Sequence, residues 1–188
     1  FESCNELARS AAERIAGLAA EAVDRRGRLV VALAGGTTPR HTYERLAAVP
    51  LRDVVPWADV HVCWGDERMV PPTDEASNYR MAHEALLKYV PVPASQVHRV
   101  PNVPSFDLVL LGMGADGHTA SLFPHSAALD EREQLVVAPP EPVQGVRRIT
   151  LTPPVLQHAR EVMVLAAGAE KAAALRAVLD GPDAPHAY

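Results

Sequence analysis

Apolar positions along this chain follow two different periods. From Asn5 to Arg25 they fall at Leu7, Ala11, Ile15, Leu18, Ala22 and Val23, a 3.6-residue spacing that predicts an amphipathic helix stopped by Gly27. Short apolar runs then take over at Arg28 to Leu33, Asp59 to Trp64, Phe106 to Leu111 and Glu161 to Ala167. Runs of this length, each closely followed by glycine, suit strands buried on both faces of a parallel sheet. Gln134 to Ala138 and Arg147 to Thr152 have strand composition too, and Val97-His98-Arg99 predicts a short strand. Between them lie helical stretches at Arg40 to Ala48, with Pro39 at the first position, and at Asn78 to Tyr89, capped by Ser77. A short helix from Pro153 to Ala159 and another from Ala172 to Leu179 complete the series.

This alternation predicts an α/β fold: one Rossmann-like domain over residues 1–188 with an open, mostly parallel, doubly wound sheet and helices on both faces. The glycine loops at Gly35, Gly65, Gly112 and Gly168 each follow a strand, so they should gather on one sheet edge. Ligands of open α/β sheets bind at that edge.

Composition narrows the function classes. The 188 residues are 48% hydrophobic and only 5% aromatic, enough for one aliphatic core. A formal charge of -5 and the absence of any Lys/Arg cluster argue against nucleic acid as a partner. No apolar run approaches the ~18 residues of a membrane span. Cys4 and Cys63 make no disulfide framework, which suits a reduced, cytoplasmic setting. A small-molecule partner is expected, with the chain a monomer or weak homo-oligomer. The first residue is Phe1 rather than methionine, so preceding residues are expected.

The richest chemistry lies at Gly112 to Ser121. Gly112-Met113-Gly114-Ala115-Asp116-Gly117 satisfies the dinucleotide pattern G-x-G-x-x-G. That pattern must open a long helix, and Pro124 follows too soon to allow one. Ala34-Gly35-Gly36-Thr37-Thr38-Pro39 joins a glycine turn to a helix amino end, either an anion site or an ordinary strand-to-helix turn. Asp66, Glu67 and Arg68 end another strand, as a surface ion-pair cluster or as working groups. Among the loop residues His118 is the side chain suited to proton transfer near neutrality, ahead of Asp116 or Glu67. No G-x-S-x-G elbow and no H-E-x-x-H spacing is present. Water activated by a histidine remains, beside the cations Arg68, Arg148 and Lys171.

Four segments carry a resemblance to a known family: LAGGTTP at Leu33–Pro39, WGDERMVPPTDEASN at Trp64–Asn78, FDLVLLGMGADGHTASLFP at Phe106–Pro124, and RRITLT with the later GAEK between Arg147 and Lys171. They resemble the 6-phosphogluconolactonases, in the superfamily that also contains glucosamine-6-phosphate deaminase. The resemblance implies hydrolysis of 6-phospho-glucono-δ-lactone to 6-phosphogluconate, in the oxidative pentose phosphate pathway, without a cofactor or metal. It implies that Gly35, Gly36, Thr37 and Thr38 hold the phosphate, with charge from Arg148 and Lys171. His118 would activate water near Asp116, Arg68 would steady substrate or oxyanion, and Asp66 and Glu67 would orient these groups. The deaminase branch is implied to carry a glutamate where Phe123 stands and a tyrosine where Arg68 stands. A non-catalytic sugar-phosphate sensor would need the phosphate loop but not His118. The family's usual helix before Phe106 has no counterpart, so missing residues are expected near 101–105 and at both ends.

Overall fold

The computed structural model describes residues 1–99, 105–143 and 145–182. Its first half runs α1 (Cys4–Arg26), β1 (Leu29–Leu33), α2 (Thr37–Leu46), α3 (Leu51–Val54), β2 (Val60–Trp64), β3 (Asp66–Arg68) and α4 (Asn78–Ala85). The second half adds β4 (Leu108–Gly112), β5 (Val136–Val137), β6 (Arg148–Leu151), α5 (Pro153–Gln157), β7 (Glu161–Leu165) and α6 (Ala172–Asp180). The residues expected to be missing near 101–105 fall largely within positions 100–104, outside the described residues.

Four strands pair in parallel in the order β2-β1-β4-β7. Their side chains alternate between two cores. Leu29, Val31, Leu33, Val62, Leu108 and Leu110 pack with Ile15 of α1, Tyr43 of α2 and Ala82 of α4. Val30, Ala32, Cys63, Val109 and Leu111 face the other way, against Phe106, Leu122 and the α5 residues Val155 and Leu156. Burial on both faces is why β1, β2 and β4 read as continuous apolar runs. The edge strand β7, also expected to be doubly buried, instead leaves Glu161, Val162 and Val164 exposed, because nothing among the described residues covers the face of the two valines. The predicted α/β architecture with helices on both faces is the one observed.

The direction in which strands are added reverses between β1 and β4. From β1 the chain adds β2 on one side, then crosses to β4 on the other. Open α/β sheets bind ligands at such a switch point, beyond the carboxyl ends of the strands. Here those ends are Leu33 and Gly112.

The local expectations hold with informative exceptions. Helix α1 has its cap at Ser3, which accepts from the Glu6 N–H, and it ends at Gly27 with φ of 73°. That left-handed conformation is one glycine adopts without strain. Helix α2 starts at Thr37, so Pro39 is its third residue rather than its first. The ring still costs nothing there, because first-turn N–H groups have no acceptor within the helix. Ser77 caps α4 as expected, but α4 stops at Ala85 and a 3₁₀ turn covers Leu87–Tyr89. Val97 makes only an isolated bridge to Val62.

The larger difference is a second sheet, antiparallel, in the order β3-β6-β5. β3 leaves β2 after the single residue Gly65 and pairs with β6, setting Asp66 opposite Thr150, Glu67 opposite Ile149 and Arg68 opposite Arg148. Three consecutive charges carry no strand signal, so apolar periodicity missed this element. Like charges directly opposite on a ladder are unfavourable by themselves. Their juxtaposition points to a site that needs positive charge.

Candidate active site

A cavity of about 550 Å³ opens at the switch point. All four glycine loops reach it, and Gly35, Gly36, Thr37, Thr38, Asp66, Arg68, His118, Arg148 and Lys171 line it. Two expected residues do not line it: Asp116 stands behind His118, and Glu67 is buried beneath the turn. Of the adjacent arginines, Arg147 is exposed and Arg148 is 8% exposed.

The turn between β1 and α2 is built from below by a residue the sequence reading passed over. The Tyr43 hydroxyl, fully buried, accepts from the Ala34 N–H at 2.9 Å and donates to the Ala34 carbonyl at 2.8 Å. Burial raises its pKa well above the ordinary range, so it stays a neutral hydroxyl. Gly36 follows with φ of 99° and no side chain caps α2. The N–H groups of the first turn of α2 are therefore free to meet an anion. Gly35 is needed for a different reason: a Cβ there would lie 2.1 Å from Asn78 Oδ1.

Asn78 is the second residue that was missed. Its Nδ2 donates to the Asp66 carbonyl at 2.9 Å and to Asp66 Oδ1 at 3.1 Å, while its Oδ1 accepts from Arg68 Nη1. Glu67 accepts from the N–H groups of Arg68, Asn78 and Tyr79 and from the Ser77 hydroxyl. Its carboxylate therefore fastens the amino end of α4 beneath the turn, where the helix dipole favours negative charge. Asp66 accepts from Ser121 Oγ at 2.7 Å and lies 3.9 Å from Arg148 Nη1. Burial raises the Asp66 pKa, against the lowering effects of Ser121, Arg68 and Arg148. Burial likewise lowers the Arg148 pKa, and the Arg68 charge adds to that shift. The Nε atoms of both arginines are buried with no acceptor among the described residues. Two crowded guanidinium groups with unused donors form an anion-binding field.

On the opposite side the loop after β4 carries His118. Its Nδ1 lies 2.5 Å from Asp116 Oδ1, and its backbone N–H reaches the same oxygen at 3.2 Å. Desolvation, the largest influence on Asp116, would raise its pKa, but the bonds from His118 outweigh it and hold the carboxyl below the ordinary range. An ionised carboxylate can only accept, so Nδ1 carries the proton and Nε2 is left as a base. Gly114 makes this packing possible, since a Cβ there would stand 2.2 Å from His118 Nδ1. The Phe123 ring packs behind the imidazole, tilted by 33° with centroids 4.2 Å apart. No helix follows β4 directly, which removes the dinucleotide pattern as a phosphate site. Among the described residues no group of three or more His, Cys, Asp or Glu could hold a metal ion.

The match to a family model settles the lineage. Residues 2–104 and 100–188 match the model of glucosamine-6-phosphate isomerases/6-phosphogluconolactonase. The chain belongs to this family. A 6-phosphogluconolactonase of Synechocystis is 38% identical over 194 residues, covering 89% of this chain and 78% of the relative. One from Nostoc is 40% identical over 183 residues, covering 84% and 74%. Among solved structures, 6-phosphogluconolactonase from Trypanosoma brucei superposes with a TM-score of 0.85 at 32% identity, covering 96% of this chain and 85% of that one.

Proposed function

We propose that the chain hydrolyses 6-phospho-glucono-δ-lactone to 6-phosphogluconate with water activated by His118. The observation that carries this reading is the pairing, in one cavity, of an uncapped helix amino end with a histidine whose Nδ1 is tied to Asp116. The uncapped α2 turn at Gly35, Gly36, Thr37 and Thr38 takes the phosphate, with Lys171 beside it. Nε2 of His118 removes a proton from water as its oxygen bonds to the lactone carbonyl carbon. Negative charge then develops on the carbonyl oxygen, where Arg68 supplies preorganised positive charge. Arg148, expected from the resemblance at the phosphate, sits opposite Arg68 on the ladder and adds to it. Collapse of this adduct breaks the ring C–O bond, and the imidazolium returns its proton to the departing ring oxygen. Asn78, Asp66 and Glu67 hold Arg68 in place and do not exchange protons with substrate.

Phe123 supports lactone hydrolysis over aldose–ketose isomerisation. It stands where the isomerising branch is implied to carry a glutamate, and it moves no proton. The reaction belongs in the pentose phosphate pathway; among the described residues no helix is both long and apolar enough to cross a membrane. A lactone assay corrected for spontaneous opening, run beside a glucosamine 6-phosphate assay, tests the reading. Lactone opening at the spontaneous rate together with conversion of glucosamine 6-phosphate would sink it.

A further inference from the structure

Behind the Phe123 ring lies a second cavity of about 290 Å³. Phe123, Pro124, Pro139, Pro140 and Val143 give it apolar walls, Arg148 lines its inner side, and the exposed His125 and Glu141 also border it. Among the described residues Arg148 alone lines both this cavity and the catalytic one. Its guanidinium lies over the Phe123 ring, 5.5 Å from the centroid, and His118 packs against the same ring at a tilt. The Phe123 segment is thus a partition with the reacting histidine and a second chamber as neighbours. Two non-glycine residues in left-handed backbone, Ala120 with φ of 50° and His125 with φ of 63°, bracket it. Such outliers persist where surrounding structure over-determines them, and they cluster at binding and switch segments.

Arg148 itself calls for a ligand. It is 8% exposed, its Nε is buried without an acceptor among the described residues, and its ion pair with Asp66 is a loose 3.9 Å. Asp66 is already engaged by Ser121 and Asn78. A buried guanidinium with spare donors is a ready partner for a planar carboxylate. Apolar walls with a convergent polar group are the usual construction of a small-molecule site, and this volume holds about one ring with its acid group. The buried Arg148 supplies that group here, while the exposed Glu141 can turn its carboxylate to solvent.

We propose that this cavity binds a small aromatic or otherwise apolar monocarboxylate, whose carboxylate pairs with Arg148 and draws it away from the substrate. The effect on catalysis rests on the lactonase reading above; the binding does not. Substrate can still enter its own cavity while the second is filled, so inhibition saturates instead of being complete.

Benzoate is the probe, with benzamide as its uncharged counterpart. Saturation-transfer NMR on the whole chain should show millimolar benzoate binding, as expected of so small a ligand, and none for benzamide. Ala127 lines the cavity and is exposed, so Ala127→Phe should block it while keeping the fold and the basal rate. Benzoate should lower kcat/KM for the lactone to a plateau roughly 10-fold down, the worth of one charge-assisted bond. Ala127→Phe should lose both binding and inhibition. Absence of saturable benzoate binding would overturn the site. Inhibition without a plateau, or inhibition unchanged in Ala127→Phe, would place benzoate in the substrate cavity instead. Binding lost in Ala127→Phe but without effect on lactone hydrolysis would overturn the coupling through Arg148. If no lactonase activity existed at all, the NMR comparison would still decide the site.

Discussion

His118 and Asp116 meet in a loop where their side chains are 28% and 53% exposed, whereas the neighbouring Asp66 and Glu67 are 7% and 5% exposed. Both regions border one cavity, yet they are built differently. The loop after β4 has few constraints on its histidine: one carboxylate on Nδ1, a ring behind it, and a glycine that lets all three approach. A group that takes and returns a proton must reach water and change charge within each turnover, which a dry, fully bonded site would oppose. The turn after β2 is the reverse case. Glu67 accepts four hydrogen bonds and Asn78 is bonded on both ends of its amide. Groups so fastened cannot exchange protons readily, but they hold Arg68 in a fixed place. Stabilising a developing charge needs donors that are already oriented before reaction.

The contrast breaks most clearly at His118. His118→Ala should lower kcat by about 10²–10⁴-fold, the usual range for a general base, with little change in KM or melting temperature. A variant that keeps more than half the wild-type kcat would move the base elsewhere, with Asp116 next in line. Lys171 belongs to neither region and calibrates binding alone. Lys171→Ala should raise KM by roughly 10- to 150-fold at unchanged kcat, because a phosphate contact persists from ground state to transition state. A fall in kcat at constant KM would put this lysine at the reacting end.

The buried region should show the opposite balance of stability and rate. Glu67→Gln replaces a four-fold acceptor by a group that must point an NH₂ at donors. Loss of about 1–3 kcal/mol is expected, or roughly 2–12 °C in Tm for a chain of this size, and kcat should fall with it as Arg68 loosens. Full thermal stability in Glu67→Gln would show that the network is not what holds the turn. The smallest effect concerns acid. The Asp116 pKa is depressed in the folded chain, so its contact with His118 is fully present above the unfolded aspartate value. It is lost only as pH falls through the lower folded value. An NMR titration of the Asp116 carboxyl should therefore have its midpoint below the ordinary aspartate range, and a midpoint at or above that range would contradict the geometry.

Periodicity and glycine placement in the sequence were enough for the parallel sheet, its two helical layers and the gathering of four loops at one edge. Strands buried on both faces must be apolar throughout, and each must end where the chain turns, so both signals are local. His118 was legible for a similar reason, as a titrating group inside a short glycine-rich loop. What only the tertiary structure decided is how the remaining groups pair. β3 is three charged residues long, and it exists because β6, about eighty residues later, offers it a ladder. The same pairing puts Arg148 rather than Arg147 inside the cavity. Asn78 reads in sequence as the residue after a helix cap, and Tyr43 as one more apolar position on α2. Their work lies in contacts with Asp66, Arg68 and Ala34, on other elements that only folding brings within hydrogen-bond range. Such bonds depend on angles and distances between separate elements, and no local pattern of residue types encodes them.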